Sequence, residues 1–197
     1  MLNKLRTKID PIASRLGARL ALLGLSPTVW STIGFILSVI SGGCFAFAQH
    51  SASVPLVQVG SVVLLLSGFC DIVDGSIARV SKKVTKKGAY LDSVYDKCSE
   101  IVIFIGILVG NLANPVFCLI AAVTSLLVSY SRARAESLGV DVKGIGIGER
   151  AERILIIAVA GLIPFQYSIE AATVVISILS GITFLQRVWY VTKNLKD

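Results

Sequence analysis

Four aspartates stand as two close pairs at the ends of two apolar segments. Asp71 and Asp74 are three residues apart, and Asp92 and Asp96 are four apart. Each pair shares one face if its segment is helical, and the chain between the pairs is long enough for a turn that lets two helices face each other. Ligation by several carboxylate oxygens suits hard divalent ions such as Mg²⁺, Mn²⁺ or Ca²⁺, which usually serve phosphate chemistry. The spacing therefore predicts a metal site.

The same aspartates are energetically unfavourable if the apolar segments cross a membrane. A carboxylate at the centre of a membrane helix costs about 2.5–3.5 kcal/mol on insertion scales, so a cation is expected among the four. The alternative is a set of helix-end charges neutralised by nearby basic residues, which are Arg79, Lys82, Lys83, Lys86 and Lys87. That alternative explains neither the spacing of the carboxylates nor the small residues among them, which are Gly75, Ala78 and Gly88.

The composition of the whole chain is that of a membrane protein. Of 197 residues, 54% are hydrophobic and only 16% are charged, and the mean hydropathy is +0.79. Such a chain is too apolar for an ordinary soluble domain, so we expect one integral membrane domain over residues 1–197. Six apolar runs can each cross the roughly 30 Å hydrocarbon core. They are 27–48, 54–78, 89–111, 113–134, 151–166 and 171–191, the fifth being the shortest. The predicted fold class is an all-α membrane protein with six transmembrane helices.

Basic residues indicate how these helices are oriented, because Lys and Arg collect on the cytoplasmic side of membrane spans. Lys and Arg are absent from the connections 49–54, 111–115 and 165–170, and they cluster in the others and near both ends. Both termini and the aspartates are therefore predicted on the cytoplasmic side of the cell membrane. The net charge of +7 would meet anionic lipids and phosphorylated substrates there. Nucleic acid is a poor partner, since no soluble domain remains to bind it.

An interfacial helix is predicted ahead of the bundle. Apolar residues recur there at steps of three and four, at Leu2, Leu5, Ile9, Ile12, Leu16 and Leu20, with basic residues on the other faces. This pattern is typical of an amphipathic helix lying on the membrane surface. We therefore divide the chain into an interfacial helix over 1–25 and a six-helix bundle over 26–197. The helix could serve as an anchor or as a gate for lipid entry.

The aspartate stretch also resembles a known family signature. The pattern D-x2-D-G-x2-A-R-x8-G-x3-D-x3-D is similar to that of the CDP-alcohol phosphotransferase family. It is matched without departure by Asp71, Asp74, Gly75, Ala78, Arg79, Gly88, Asp92 and Asp96. A match of this length is a specific signal. The resemblance implies transfer of a phosphatidyl-type group from a CDP-lipid to an alcohol, with release of CMP.

The resemblance also implies roles for the aspartates. Asp71, Asp74, Asp92 and Asp96 would hold Mg²⁺ or Mn²⁺, with two ions expected, and the metal would neutralise charge as the phosphoanhydride breaks. Asp96 would in addition be the catalytic general base that takes the proton from the attacking hydroxyl. The two roles compete for one carboxylate. Homodimerisation is implied as well, and Gly106 and Gly110 could serve either a subunit contact or packing within one subunit.

The CDP-lipid is expected between the first span and the aspartates. In similar proteins the residues after a cap-and-proline pair hold the nucleotide end, which here indicates Thr28, Val29, Trp30 and Ser31. Gly75, Ala78 and Gly88 would let a base or diphosphate approach closely, while Arg79 and Thr85 would contact the diphosphate. For Thr28 to Ser31 a simple helix cap is the alternative, and for Thr85 an ordinary turn.

A second group of residues, all arginines, indicates a phosphorylated acceptor. Arg132 and Arg134 lie in S-R-A-R-A-E, and Arg150 and Arg153 in G-E-R-A-E-R. The stretch resembles the inositol-phosphate-using branch of the family, except that Ala151 stands where relatives often have proline. Membrane orientation alone would place some of these arginines here. The glycines between the two segments, at 144, 146 and 148, predict a flexible loop.

The sequence thus favours a transferase that uses CDP-archaeol or CDP-diacylglycerol as donor and inositol phosphate as acceptor. Arg187 is a further candidate for the acceptor phosphate, or else a helix-end arginine that reaches the interface. Glycerol 3-phosphate is the alternative acceptor. A divalent-cation transporter is the alternative from another class, but the external halves of the spans contain almost no polar groups. A catalytically inactive lipid-binding member is disfavoured by the complete set of aspartates.

Overall fold

The computed structural model describes residues 24–48, 54–81 and 85–195. The interfacial helix predicted over 1–25 lies, except for its last two residues, outside this part. The described part is all-helical. Its six helices are α1 (Pro27–Phe47), α2 (Val54–Ser81), α3 (Lys86–Val109), α4 (Pro115–Ser137), α5 (Arg150–Leu162) and α6 (Ser168–Asn194).

Local chemistry at the helix starts explains where these helices begin. Pro27 and Pro115 occupy the first turns of α1 and α4, where the N–H that proline lacks would have no partner in the helix. Asn114 caps α4, its side-chain oxygen accepting a hydrogen bond of 2.9 Å from the backbone N–H two residues on. Thr85 caps α3 in the same way, accepting from the N–H of Gly88 at 3.0 Å.

Four of the six described helices are long and apolar enough to cross a membrane. These are α1, α4, α6 and the Pro55–Ala78 part of α2. The other two differ from them in charge or length. Six charged residues fall within the first fifteen of α3, and α5 has only 13 residues. The architecture is that of a multi-pass membrane protein.

The helices pack as two groups that meet through the short helix α5 and through a contact of α3 with α4. In one group α1 packs against both α2 and α3, and in the other α4 packs against α6. α5 contacts α2 on one side and α6 on the other. The buried core that the helices share includes Phe45, Leu64, Ile107, Ile157 and Ile176. α5 therefore lies where the two groups of helices meet.

Two glycines set the distance between α1 and α3. A Cβ atom added at Gly106 would overlap the carbonyl oxygen of Gly42, and one added at Gly110 would overlap that of Phe45. Small residues let helix backbones approach closely inside a membrane. Of the two contacts considered for Gly106 and Gly110, the structure shows the one within a single subunit.

Candidate functional site

Three of the four aspartates converge where α2 ends and α3 begins. Asp71 and Asp74 lie on α2 and Asp92 lies on α3, and one carboxylate oxygen from each lies within 4.8 Å of the others. Oxygens bound to one ion at about 2.0–2.6 Å can be no more than roughly 4–5 Å apart. The donor set therefore fits a hard divalent cation in both chemistry and spacing. This group is called the acidic triad below.

A serine on α1 orients one member of the acidic triad. The hydroxyl of Ser31 donates a hydrogen bond of 2.7 Å to Oδ2 of Asp74, and both residues are buried. Asp71, by contrast, has a side chain that is 41% exposed at the mouth of the site. The sequence predicted Ser31 as a lipid-substrate contact and missed this bond, because 43 residues separate the partners.

Asp96, the fourth aspartate, stands outside the triad and is paired with an arginine. The Nη1 atom of Arg150 contacts Oδ1 of Asp96 and also lies 3.0 Å from Oδ1 of Asp71. The two carboxylates beside it favour the charged form of this guanidinium. Arg150 is therefore a fixed cation beside the acidic triad.

These groups line one cavity, whose empty space is about 220 Å³ including the part open to solvent. Its walls come from α1, α2, α3 and the first residue of α5. The lining residues are Ser31, Gly34, Phe35, Ser67, Asp71, Asp74, Asp92, Tyr95, Asp96, Ser99 and Arg150. Phe35 and Tyr95 stack across it with ring centroids 5.1 Å apart and ring planes 8° apart. All four predicted metal ligands thus face one cavity, although only three can share an ion in the geometry observed.

Three of the residues predicted to hold the nucleotide come together beside this cavity. A Cβ atom added at Gly88 would lie 3.0 Å from Oγ1 of Thr85 and 3.2 Å from Oγ1 of Thr28. The start of α1 therefore touches the start of α3, with two hydroxyls at the contact. Thr85 also caps its helix, a role other than the ordinary turn considered as its alternative, and its O–H remains able to donate to a ligand.

The other residues predicted to contact the lipid substrate differ in their solvent exposure and in the space around them. At Gly75 an added Cβ would meet no described atom within 4 Å, and Ala78 is half-buried. Val29 is exposed, whereas the indole Nε1 of Trp30 is buried without a hydrogen-bond partner among the described residues. Arg79 lies in the last turn of α2, and its side chain is outside the described part of the chain.

The five arginines predicted for the acceptor do not all reach the cavity. Only Arg150 lines the cavity in the described part of the protein. Arg132 is largely exposed on α4 and pairs with Glu136 at 2.8 Å. Arg134, also exposed, has its Nη1 3.5 Å from the hydroxyl of Ser137. The remaining two, Arg153 and Arg187, are buried.

Arg187 holds backbone carbonyls together. Its Nε donates to the carbonyl of Ile145 at 3.0 Å and its Nη1 to that of Val128 at 2.7 Å. Thr183, one turn earlier on α6, accepts hydrogen bonds from the backbone N–H groups of Ile147 and Gly148 at 3.1 and 2.9 Å. The glycine-containing loop that the sequence predicts to be flexible is thus anchored to α6 at Ile145, Ile147 and Gly148.

Arg153 is bound to a carboxylate that was not among the predicted site residues. Its guanidinium faces the carboxylate of Glu100 on α3 and also donates to the carbonyl of Gly148. A signal for Glu100 was present in the sequence, since a carboxylate inside the predicted span 89–111 requires a cationic partner.

Comparison with known proteins matches most of this chain. The family model for CDP-alcohol phosphatidyltransferases matches residues 25–186. An archaetidylinositol phosphate synthase of Pyrococcus horikoshii is 36% identical over 196 residues, covering 100% of this chain and 99% of that protein. One from Methanothermobacter thermautotrophicus is 39% identical over 204 residues, covering 100% of this chain and 96% of that protein.

Solved structures resemble the fold as well. The phosphatidylinositol phosphate synthase of Mycobacterium tuberculosis with CDP-DAG bound superposes with a TM-score of 0.77 at 27% identity, covering 92% of this chain and 94% of that one. The same enzyme in complex with manganese and citrate gives a TM-score of 0.76 at 27% identity, covering 91% and 88%.

Proposed function

The chain belongs to the CDP-alcohol phosphatidyltransferase family, and from this premise we propose that it makes a phosphoinositide lipid precursor. It transfers the phosphatidyl or archaetidyl group of a CDP-lipid to myo-inositol 1-phosphate and releases CMP. The observation that carries this function is the acidic triad at the cavity, with its carboxylate oxygens within 4.8 Å of one another.

The reaction exchanges one phosphorus–oxygen bond for another. The acceptor hydroxyl oxygen bonds to the lipid-side phosphorus of the diphosphate, the bridging bond to that phosphorus breaks, and CMP leaves with the bridging oxygen. A divalent ion held by Asp71, Asp74 and Asp92 would supply charge neutralisation as the phosphoanhydride breaks. Two ions, Mg²⁺ or Mn²⁺, are proposed, with Asp96 as a ligand of the second.

Asp96 is proposed as the group that accepts the proton of the attacking hydroxyl. Its position supports this role, since it faces the same cavity as the triad but lies outside the three-carboxylate group. In this structure Arg150 pairs with Asp96 and opposes its negative charge. The proton acceptor and the second metal site use the same carboxylate, so Asp96 serves one role at a time.

The nucleotide end of the CDP-lipid is proposed to lie between the starts of α1 and α3. The hydroxyls of Thr28 and Thr85 meet at Gly88 there and can donate to diphosphate oxygens. The open backbone at Gly75 leaves room for a flat group against α2. The Nε1 of Trp30, which has no hydrogen-bond partner among the described residues, is a further proposed donor. Val29, Ser31, Ala78 and Arg79 complete the proposed donor site.

The acceptor phosphate is proposed to bind at Arg150. This guanidinium lines the cavity, and its buried Nε has no hydrogen-bond partner among the described residues. Arg132 and Arg134 are exposed on the neighbouring helix end and can attract the anion before it binds. Arg153 and Arg187 already bind Glu100 and backbone carbonyls, so a contact from either to the acceptor requires an exchange of those bonds.

We propose that all six described helices cross the cell membrane, with both termini and the cavity on the cytoplasmic side. The charges of α3 fall in its first fifteen residues, and the rest of that helix is apolar. At about 1.5 Å per residue α5 is only ~20 Å long, so it spans only together with the residues that follow it. Residues 1–25 are proposed as the interfacial helix of this single domain and the functional unit as a homodimer.

The test is CMP release by the purified protein in liposomes, with CDP-archaeol or CDP-diacylglycerol and Mg²⁺ or Mn²⁺. The expected result is release that depends on both the metal and myo-inositol 1-phosphate. Release with glycerol 3-phosphate instead would keep the reaction and overturn the acceptor. The absence of release with any acceptor would overturn the function, and metal uptake by the same liposomes would then support a transporter.

A further inference from the structure

A buried ion pair between Glu100 and Arg153 joins α3 to α5 next to the cavity. Nε and Nη2 of Arg153 lie 2.5 and 2.8 Å from Oε1 and Oε2 of Glu100, a bidentate contact. The side chains are only 1% and 4% exposed. Nη1 of Arg153 donates to the carbonyl of Gly148 at 2.6 Å, which ties the end of the preceding loop to the same point.

This pair lies one helical turn from the working groups of the site. Glu100 follows Asp96 by four residues on α3, and Arg153 follows Arg150 by three residues on α5. Residues at these spacings lie on the same face of a helix. The two helices are therefore joined by an outer pair, Asp96 with Arg150, and an inner pair, Glu100 with Arg153. The outer pair lines the cavity, whereas the inner one is closed to solvent.

Stability alone is a poor explanation for the inner pair. Burying two charges costs much of what their attraction returns, and apolar residues of similar size often stabilise a protein as well or better. A planar guanidinium that binds a carboxylate through two of its nitrogens, here Nε and Nη2, fixes direction as well as distance. The inner pair thus contributes a defined rotation and axial register of α5 on α3 that an apolar contact would leave loose.

We propose that Glu100 and Arg153 are positioning residues for the transferase reaction. Metal and acceptor in the cavity would compete with Arg150 for the carboxylates of Asp71 and Asp96, which now contact it. The inner pair then remains as the polar link that keeps the start of α5 in register with α3. It holds Arg150 at the acceptor and Asp96 at the attacking hydroxyl. This role rests on the proposed function.

The test separates positioning from stability with an apolar replacement. Glu100→Leu combined with Arg153→Met removes both charges and keeps the buried volume but leaves the carbonyl of Gly148 unpaired, so we expect it to fold and to melt close to the wild-type temperature. Arg153→Lys keeps the charge but loses the bidentate geometry and takes the place of the double variant if that one does not fold. The matched control is Ser125→Ala with Ser180→Ala, a buried polar contact between α4 and α6.

Two readouts decide the question. The first is steady-state CMP release, where we expect kcat of the apolar double variant to fall about 10- to 100-fold, as for a small misplacement of reacting groups. The KM for the CDP-lipid should change little, because its proposed site lies on α1, α2 and α3. The second is a pulsed EPR distance between nitroxides on Cys98 and on Leu155→Cys, with the other cysteines replaced by alanine. We expect its distribution to broaden.

A folded double variant with wild-type kcat overturns the proposal, and so does an unchanged distance distribution. The same holds if the serine control loses as much activity as the double variant. If the wild-type protein releases no CMP with any acceptor, the proposed function fails. In that case the EPR distances alone decide whether the inner pair holds α5 in register with α3.

Discussion

The acidic cavity and the arginine-rich end of α4, α5 and α6 both concentrate charge, but they satisfy it in opposite ways. In the cavity, three carboxylates crowd together, and the side chain of Asp71 stays 41% exposed although it contacts Arg150. At the other end, Arg153 and Arg187 are buried and bound to protein groups. A polar group that the fold leaves unsatisfied is available for a ligand, and one that it satisfies is part of the scaffold.

Arg150 belongs to both regions and shows how they are connected. It begins α5, within the arginine-rich end, but its guanidinium reaches the cavity and contacts Asp71 and Asp96. One of its nitrogens remains without a partner among the described residues. The comparison therefore predicts that variants in the cavity change metal binding and catalysis, whereas variants at buried arginines act first on structure.

The strongest test of the comparison is Asp74→Asn. Loss of this triad carboxylate should reduce CMP release by about 10²- to 10³-fold, because a metal ligand that stabilises developing charge is removed. Mn²⁺ binding followed by EPR should weaken in parallel, while the melting temperature stays close to that of the wild type. Full activity, or unchanged Mn²⁺ affinity, would show that the triad is not the metal site.

The next test concerns Arg150. Arg150→Gln should lower kcat/KM for inositol phosphate by about 100-fold, as expected when a charged hydrogen-bond partner of a buried anion is lost. Mn²⁺ should bind at least as tightly as in the wild type, because Asp71 and Asp96 lose a competing cation. Arg187→Gln is the contrasting variant. It leaves the carbonyls of Ile145 and Val128 unpaired and should chiefly lower the melting temperature.

If Arg187→Gln instead raised the KM for inositol phosphate at a temperature where it stays folded, the buried arginines would belong to the acceptor site. The division between the two regions would then be wrong on that point.

Two glycines offer the same substitution with opposite expectations. Gly106→Ala forces a methyl group into the carbonyl of Gly42 and should destabilise the protein by about 1–3 kcal/mol, a loss visible in its melting temperature. Gly75→Ala meets no described atom, so the fold should be kept while the KM for the CDP-lipid rises. Equal melting temperatures for the two variants would contradict the packing of α1 on α3.

Sequence reasoning predicted the elements of this protein better than the contacts between them. The apolar runs 27–48 and 113–134 correspond to α1 and α4, because span length and proline position are local properties. The acidic triad was also predictable, since two short spacings and one turn bring its members together. The bond from Ser31 to Asp74 and the pair of Arg153 with Glu100 depend on how distant helices rotate against each other. Residue type and spacing do not encode that rotation.

The smallest expected effect comes from Ser31, which orients a carboxylate of the triad and is not itself a proposed metal ligand. Ser31→Ala removes the hydroxyl that donates to Asp74, and loss of such an outer partner typically costs about 10- to 100-fold in metal affinity or activity. We expect the lower end, about 10-fold in Mn²⁺ affinity, because Asp71 and Asp92 remain.

Ser38→Ala is the matched control on the same helix, where the hydroxyl contacts Ser67 at 2.7 Å and no carboxylate. If both variants weaken Mn²⁺ binding equally, the effect comes from packing between α1 and α2. A loss confined to Ser31→Ala would mean that the cavity holds its carboxylates in position for the metal.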